Sequence, residues 1–168
     1  MGSPSRVITA RPLTREKFAE FGDVIDMEGG LHYPINGGMT ERFHALARAE
    51  AAGPDGHVLI NIFQGQPYRL PLALRMVERH PLGSQAFYPL SPRPFLSIVA
   101  PDEQGVPGRP RAFLVPPHHG VNIAINTWHG VLTPLEAPAD FLVVDRGGDG
   151  NNLEEYLLDP PLTVVTNV

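Results

Sequence analysis

Apolar residues along this chain recur mainly at every second position, in short bursts. In HVLINIFQ, residues 57–64, Val58, Ile60 and Ile62 fall on one side of an extended chain and Leu59 and Phe63 on the other, because successive strand side chains point to opposite faces. Similar bursts predict strands over residues 6–13, 23–26, 85–89, 95–100, 111–115, 121–125, 130–132 and 141–145. Between them lie SPRP, PDEQGVPGRP, VPPHHG and TPLEAPAD, rich in residues that end elements and build turns. Helical spacing is scarce. Residues 14–21 carry Thr14 as an N-cap, Phe18 and Phe21 on one side, and Gly22 as a stop. The alanine-rich residues 41–52 predict a second helix ending at Gly53-Pro54, and single helical turns are expected over 72–76 and 152–158. Many short strands, several of them apolar on both faces, predict stacked sheets: an all-β jelly-roll barrel with a few short peripheral helices.

Composition narrows the classes. With 168 residues, no internal repeat and no shift in composition, residues 1–168 are expected to form a single domain. A hydrophobic share of 42% against 18% charged excludes a disordered chain. The net charge of −5 argues against nucleic acid or an anionic membrane as the main partner; a small anionic ligand remains open, since a few local arginines can override so modest a charge. Cysteine is absent, which excludes disulfides, thiolate metal ligands and cysteine nucleophiles. No apolar run approaches the ~18 residues of a membrane span, and MGSPSRV has no signal-peptide core, so the expected compartment is the cytoplasm.

Candidate chemistry gathers in ERHPLGSQAFYP, residues 78–89. Glu78 and His80, two apart on an extended strand, share a face. Pro81, Leu82 and Gly83 predict a bend that returns Gln85 beside them. His129 lies in NTWHGVL, after a predicted strand. Two imidazoles, a carboxylate and a carboxamide make a mixed nitrogen–oxygen set for a divalent first-row metal, or an acid–base set without one. A solvated Glu78–Arg79 stretch and a satisfied loop histidine explain the same letters. His118-His119, in VPPHHG, reads as an exposed turn.

The intervals Glu78-x-His80-x4-Gln85, with His129 downstream, resemble the two motifs of cupins, small jelly-roll barrels whose first motif is H-x-H-x4-E and whose second ends in a lone histidine. Here glutamate replaces the first histidine and glutamine replaces the glutamate. The blocks INGGMTERFHAL (35–46), ERHPLGSQAFYP (78–89), GVNIAINTWHGVL (120–132) and FLVVDRGGDGNN (141–152), with TREKFAEFGDVID at the start, resemble in order the motifs of the ureidoglycolate lyase family, in older usage ureidoglycolate hydrolase.

That resemblance implies a cupin-like carbon–nitrogen lyase of allantoin breakdown in purine catabolism, cleaving (S)-ureidoglycolate to glyoxylate and urea. It also implies a homodimer and a divalent metal of nickel or manganese type. In the roles it suggests, Glu78 or His80 takes the hydroxyl proton, His129 assists the departing urea and Gln85 orients the substrate; the same four residues would hold the metal. The substrate carboxylate calls for an arginine: Arg146 in DRGGD, with surface pairing to Asp145 or Asp149 as the alternative. Arg42 and Asn36 are further binding candidates, beside a solvated face and a plain turn. Asn61, Gln64 and Asn126 are neutral groups available to the urea end. Two other readings remain open: a metal-dependent cupin enzyme of another class, such as an isomerase or oxygenase, and a non-catalytic cupin that binds a small carboxylate.

Overall fold

The computed structural model describes residues 5–167, and strands make up nearly all of its regular structure. The larger sheet runs in the order Val7–Thr9, Glu154–Val165, Leu72–Arg79, Trp128–His129, Phe95–Ala100, Arg111–Val115, Arg11–Pro12, and Thr133–Pro134 adds to Phe95–Ala100. The predicted first strand is thus two short pieces, Val7–Thr9 and Arg11–Pro12, which pair in parallel with opposite ends of the sheet. Only Ala10 separates them, so one stretch of chain bridges both edges and curls the sheet into a nearly closed barrel. The second sheet has the order Gly22–Ile25, Gly120–Ile123, Gln85–Pro89, Ala139–Gly147, His57–Gly65.

Alternation along the strands decides where the core sits. In Phe95–Ala100 every residue is buried: Phe95 and Val99 join a cluster that also holds Phe87, Val121, Phe141 and Val143 of the other sheet, while Leu96, Ile98 and Ala100 join a second cluster with Ile8, Leu74 and Trp128. The sheet is apolar on both faces because it has a core on each side. The helix Arg15–Phe18, capped by Thr14, which accepts from the Lys17 N–H, drops Phe18 into the first core. No helix among the described residues is long and apolar enough to cross a membrane.

Three helical expectations are corrected. Residues 41–52 are not a helix: Thr40–Phe43 pairs as a strand with His32–Ile35 across a tight turn at Asn36–Gly38, and the rest runs irregularly to a bridge between Ala51 and Gly83. Alanine supplies helix propensity but no apolar stripe to bury. Residues 72–76 belong to the strand Leu72–Arg79 and residues 154–158 to the strand Glu154–Val165, and these two strands pair antiparallel; Asn152 and Leu153 lie outside regular structure. Residues 130–132 form no strand; Gly130 donates its N–H to the Ile98 carbonyl between two short pairings of Phe95–Ala100.

Candidate active site

The four residues singled out by spacing meet at one end of the barrel, and each arrives by a different route. Glu78 sits near the end of Leu72–Arg79, with His129 directly opposite it across the ladder. His80 follows as the chain leaves that strand. Residues 81–84 then carry the chain from the larger sheet to the smaller, where Gln85 opens the strand Gln85–Pro89. Backbone bonds hold this crossing in place: the Leu82 N–H donates to Asn152 Oδ1 at 2.8 Å, the Ala52 N–H to the Leu82 carbonyl at 2.7 Å, and the Asn126 N–H to the His80 carbonyl at 2.9 Å. Glu78, Gln85 and His129 line a cavity of about 460 Å³ walled by Phe63, Phe87 and Leu132. His80 and Gln85 line an adjoining space of about 290 Å³ with Asp145, Arg146 and Asn151.

Hydrogen bonds at the rear of both imidazoles fix what their front atoms present. His129 Nδ1 lies 3.0 Å from the Thr127 carbonyl; a carbonyl only accepts, so Nδ1 carries the proton. Burial lowers the His129 pKa to about 4, although the Thr127 bond pulls the other way; the neighbouring His80 imidazole adds to the lowering. At neutral pH His129 Nε2 is therefore a bare lone pair, buried and without a hydrogen-bond partner among the described residues. It lies 3.7 Å from Glu78 Oε1. This pair is not an ion pair, because the imidazole is neutral. Burial also raises the Glu78 carboxyl above its ordinary value; His80 lowers it and Glu155, opposite on the neighbouring strand, raises it.

His80 repeats the pattern. Its Nδ1 donates to the Asn152 carbonyl at 2.7 Å, and its Nε2 faces Gln85 Oε1 at 3.2 Å. Gln85 Nε2 is turned the other way, toward Asp145 Oδ2 at 3.4 Å. An oxygen lone pair facing a bare imidazole nitrogen at this distance is repulsive unless something positive lies between them, either a proton on Nε2 or a cation. Glu78 Oε1 and His129 Nε2 face each other under the same condition. The ligand atoms of Glu78, His80 and His129 all lie within 4.8 Å of one another. Two nitrogens and two oxygens converging with their lone pairs inward fit a divalent first-row cation, and the orphaned His129 Nε2 is the clearest sign of that fit.

A model of the ureidoglycolate lyase family matches residues 5–165. The chain belongs to the ureidoglycolate lyase family. Among its relatives, the ureidoglycolate lyase of Mesorhizobium japonicum is 66% identical over 149 residues, covering 89% of this chain and 91% of that protein. The ureidoglycolate lyase of a Chelativorans species is 60% identical over 159 residues, covering 95% and 96%. Ureidoglycolate lyase 2 of Rhizobium meliloti is 54% identical over 154 residues, covering 92% and 94%.

In this member of the ureidoglycolate lyase family the candidate binding residues are less concentrated than the four central ones. Arg146 is buried; its Nε donates to the Ala52 carbonyl at 2.6 Å, and one terminal nitrogen donates to the carbonyls of Asp149 at 2.7 Å and Pro54 at 3.2 Å. Its stem lies against Gly83, where an added Cβ would come within 2.4 Å of the Arg146 Cβ. The sequence offered surface pairing as the alternative role, whereas the guanidinium instead ties the segment 52–54 to Asp149, and Ala52 in turn bonds Leu82 of the crossing. Arg42 and Asn36 lie exposed on the hairpin of His32–Ile35 and Thr40–Phe43, and neither lines the cavity. Asn61 donates to Asp145 at 2.9 Å.

Asn152 and Asp145 complete the surroundings and were not singled out from the sequence. Alternation held the clue to Asp145. Phe141 and Val143 point into the core, so the next residue of that parity carries a carboxylate onto an inward row, where folding alone calls for an apolar side chain.

Proposed function

We propose that this chain is a ureidoglycolate lyase, cleaving (S)-ureidoglycolate to glyoxylate and urea within allantoin and purine breakdown. The observation that carries this reading is the convergence of Glu78, Gln85 and His129 in one cavity with His80 at its border, the ligand atoms of Glu78, His80 and His129 lying within 4.8 Å of one another. Family membership supplies the substrate.

Ureidoglycolate is a carbinolamide bearing a carboxylate. Its cleavage removes the hydroxyl proton, breaks the carbon–nitrogen bond and protonates the departing nitrogen; no water is consumed. Glu78, whose basicity is raised by burial, takes the hydroxyl proton. His80 is the group to return a proton to the urea nitrogen, because its Nε2 proton is the one that would join it to Gln85 Oε1. His129 has no Nε2 proton to give at neutral pH, so in place of the acid role suggested by its position it offers a lone pair. Each proton transfer of this kind contributes about 10²–10⁴ in rate. Phe63, Phe87 and Leu132 give the centre an apolar wall, so that bound substrate displaces water from it and the charge interactions there strengthen. In place of the His80 Nε2 proton, the same four residues would hold a divalent cation of nickel or manganese type, which would supply Lewis-acid polarisation of the substrate's hydroxyl and carboxylate oxygens instead of the acid and base roles of His80 and Glu78. Arg146 acts on the carboxylate indirectly, by holding Ala52, whose N–H bonds Leu82 in the crossing between His80 and Gln85.

We also take the protein to be one cupin-like domain that works as a homodimer. The dimer reading is supported by the strand His57–Gly65, which pairs on one side only and leaves its apolar residues exposed.

The test is to incubate metal-analysed protein with racemic ureidoglycolate and follow the products. Glyoxylate and urea in equal amounts, from one enantiomer, are expected. Ammonia and carbon dioxide in place of urea would mean amide hydrolysis and reject the lyase. Glu78→Gln should lower kcat by about tenfold or more with an unchanged thermal melt.

A further inference from the structure

Gln85 has a side chain whose two ends are nearly equal in shape and opposite in chemistry. Which end faces His80 decides what the centre can do, and Gln85 does not make that choice alone. Its Nε2 lies 3.4 Å from Asp145 Oδ2 and its Oε1 lies 3.2 Å from His80 Nε2. A carboxylate only accepts, so the end turned to Asp145 must be the NH2 group, and the oxygen is left facing His80. The other carboxylate oxygen of Asp145 accepts from Asn61 Nδ2 at 2.9 Å.

These three residues lie on neighbouring strands of the smaller sheet: Asn61 on His57–Gly65, Asp145 on Ala139–Gly147 and Gln85 on Gln85–Pro89. Each shares its strand's parity with inward apolar residues, namely Phe63, Val143 and Phe87. At this end of the sheet the interior row turns polar as a unit: amide, carboxylate, amide. A carboxylate is costly in such a row unless it is hydrogen-bonded, and both of its oxygens have a donor. Turning the Gln85 amide over would set its oxygen against the carboxylate and its NH2 against His80, breaking one bond and creating a repulsion.

We propose that Asp145, held by Asn61, is a positioning residue that locks the Gln85 amide with its carbonyl oxygen facing His80. The centre thereby keeps an acceptor oxygen at the point where a proton or a cation must sit. The inference rests on the reading of Glu78, His80, Gln85 and His129 as the reaction centre.

A charge exchange between the two positions provides the test. In Asp145→Asn the oxygen stays with Asn61 and the new NH2 faces Gln85, so the Gln85 amide turns over and loses its oxygen from the centre. In Gln85→Glu two carboxylates confront each other. In the double variant Asp145→Asn/Gln85→Glu, position 85 has an oxygen at both ends; one accepts from the new NH2 and the other faces His80. Each single variant should lower kcat by about tenfold with KM changed by less than about threefold, and the double variant should recover to within about threefold of wild type. A folded double variant no better than the worse single one would overturn the proposal. If a single variant does not fold, the double variant decides the matter alone, since its hydrogen bonds are satisfied. Gln85→Ala separates the two readings. If it is impaired while Asp145→Asn is fully active, only the positioning role falls; if it is itself fully active, the four-residue centre falls as well.

Discussion

Burial treats Glu78 and His129 in opposite directions and reaches the same result, two groups pushed toward their uncharged forms 3.7 Å apart. For His129 this shift ties stability to pH. In the unfolded chain the imidazole takes up a proton near its ordinary 6.5, but in the folded chain only near about 4. Between those values the unfolded state binds more protons, so stability rises with pH. The contribution is complete above the unfolded value and is lost as pH falls toward the folded one. A gap of this size corresponds to roughly 3 kcal/mol. The expected outcome is a loss of wild-type stability in denaturant melts between neutral pH and about pH 4.5 that is smaller by ~1–3 kcal/mol in His129→Gln, which cannot titrate. Equal losses in the two proteins would mean that the histidine is not held neutral in the native state. The comparison between variants isolates this group from Glu78, whose raised value acts with the opposite sign.

At the level of elements, legibility followed locality. The strands Gln85–Pro89, Phe95–Ala100 and Arg111–Val115 have the bounds their alternation predicts, because each carries its own record of which faces are buried. Residues 72–76 and 152–158 were misread together for one reason. Leu72, Ala73, Leu74 and Met76 are good helix formers, and only their pairing with Glu154–Val165, some eighty residues later in the chain, makes them a strand. The site divides in the same way. Local spacing was enough to expect Glu78, His80 and Gln85 beside one another, while the partners that orient His80 and Gln85, Asn152 and Asp145, are brought in by distant segments. Arg146 is an instructive case, since its position at a strand end was read correctly while its guanidinium points to backbone carbonyls. Lysine has a single nitrogen and cannot hold the Ala52, Pro54 and Asp149 carbonyls together. Arg146→Lys should therefore destabilise the protein by ~2–3 kcal/mol in urea melts, with KM raised only as the crossing loosens. A large rise in KM with an unchanged melt would instead assign Arg146 to the substrate carboxylate, as the sequence alone suggested.

For the molecule as a whole, the unfinished feature is the outer edge of the smaller sheet. Among the described residues the strand His57–Gly65 pairs only with Ala139–Gly147, and Ile60 and Ile62 are 75% and 58% exposed on its outer face. Edge strands that stay solvated carry lysines, prolines or bulges that discourage pairing; residues 58–63, Val-Leu-Ile-Asn-Ile-Phe, carry none of these. A second copy related by a two-fold axis would pair this strand with itself and bury the same residues on both sides. The cavity gives that arrangement a functional consequence, because Phe63, Gln64 and Gly65 at the end of this strand form part of its wall. Light scattering is expected to give twice the 18.3 kDa chain mass. Ile60→Lys/Ile62→Lys should shift the protein to monomer and lower kcat/KM by about tenfold, as the cavity wall loosens without its support. A wild-type protein that scatters as a monomer at tens of micromolar would leave the exposed edge without a partner. A monomeric variant with full activity would mean instead that the cavity wall is stable without the second copy.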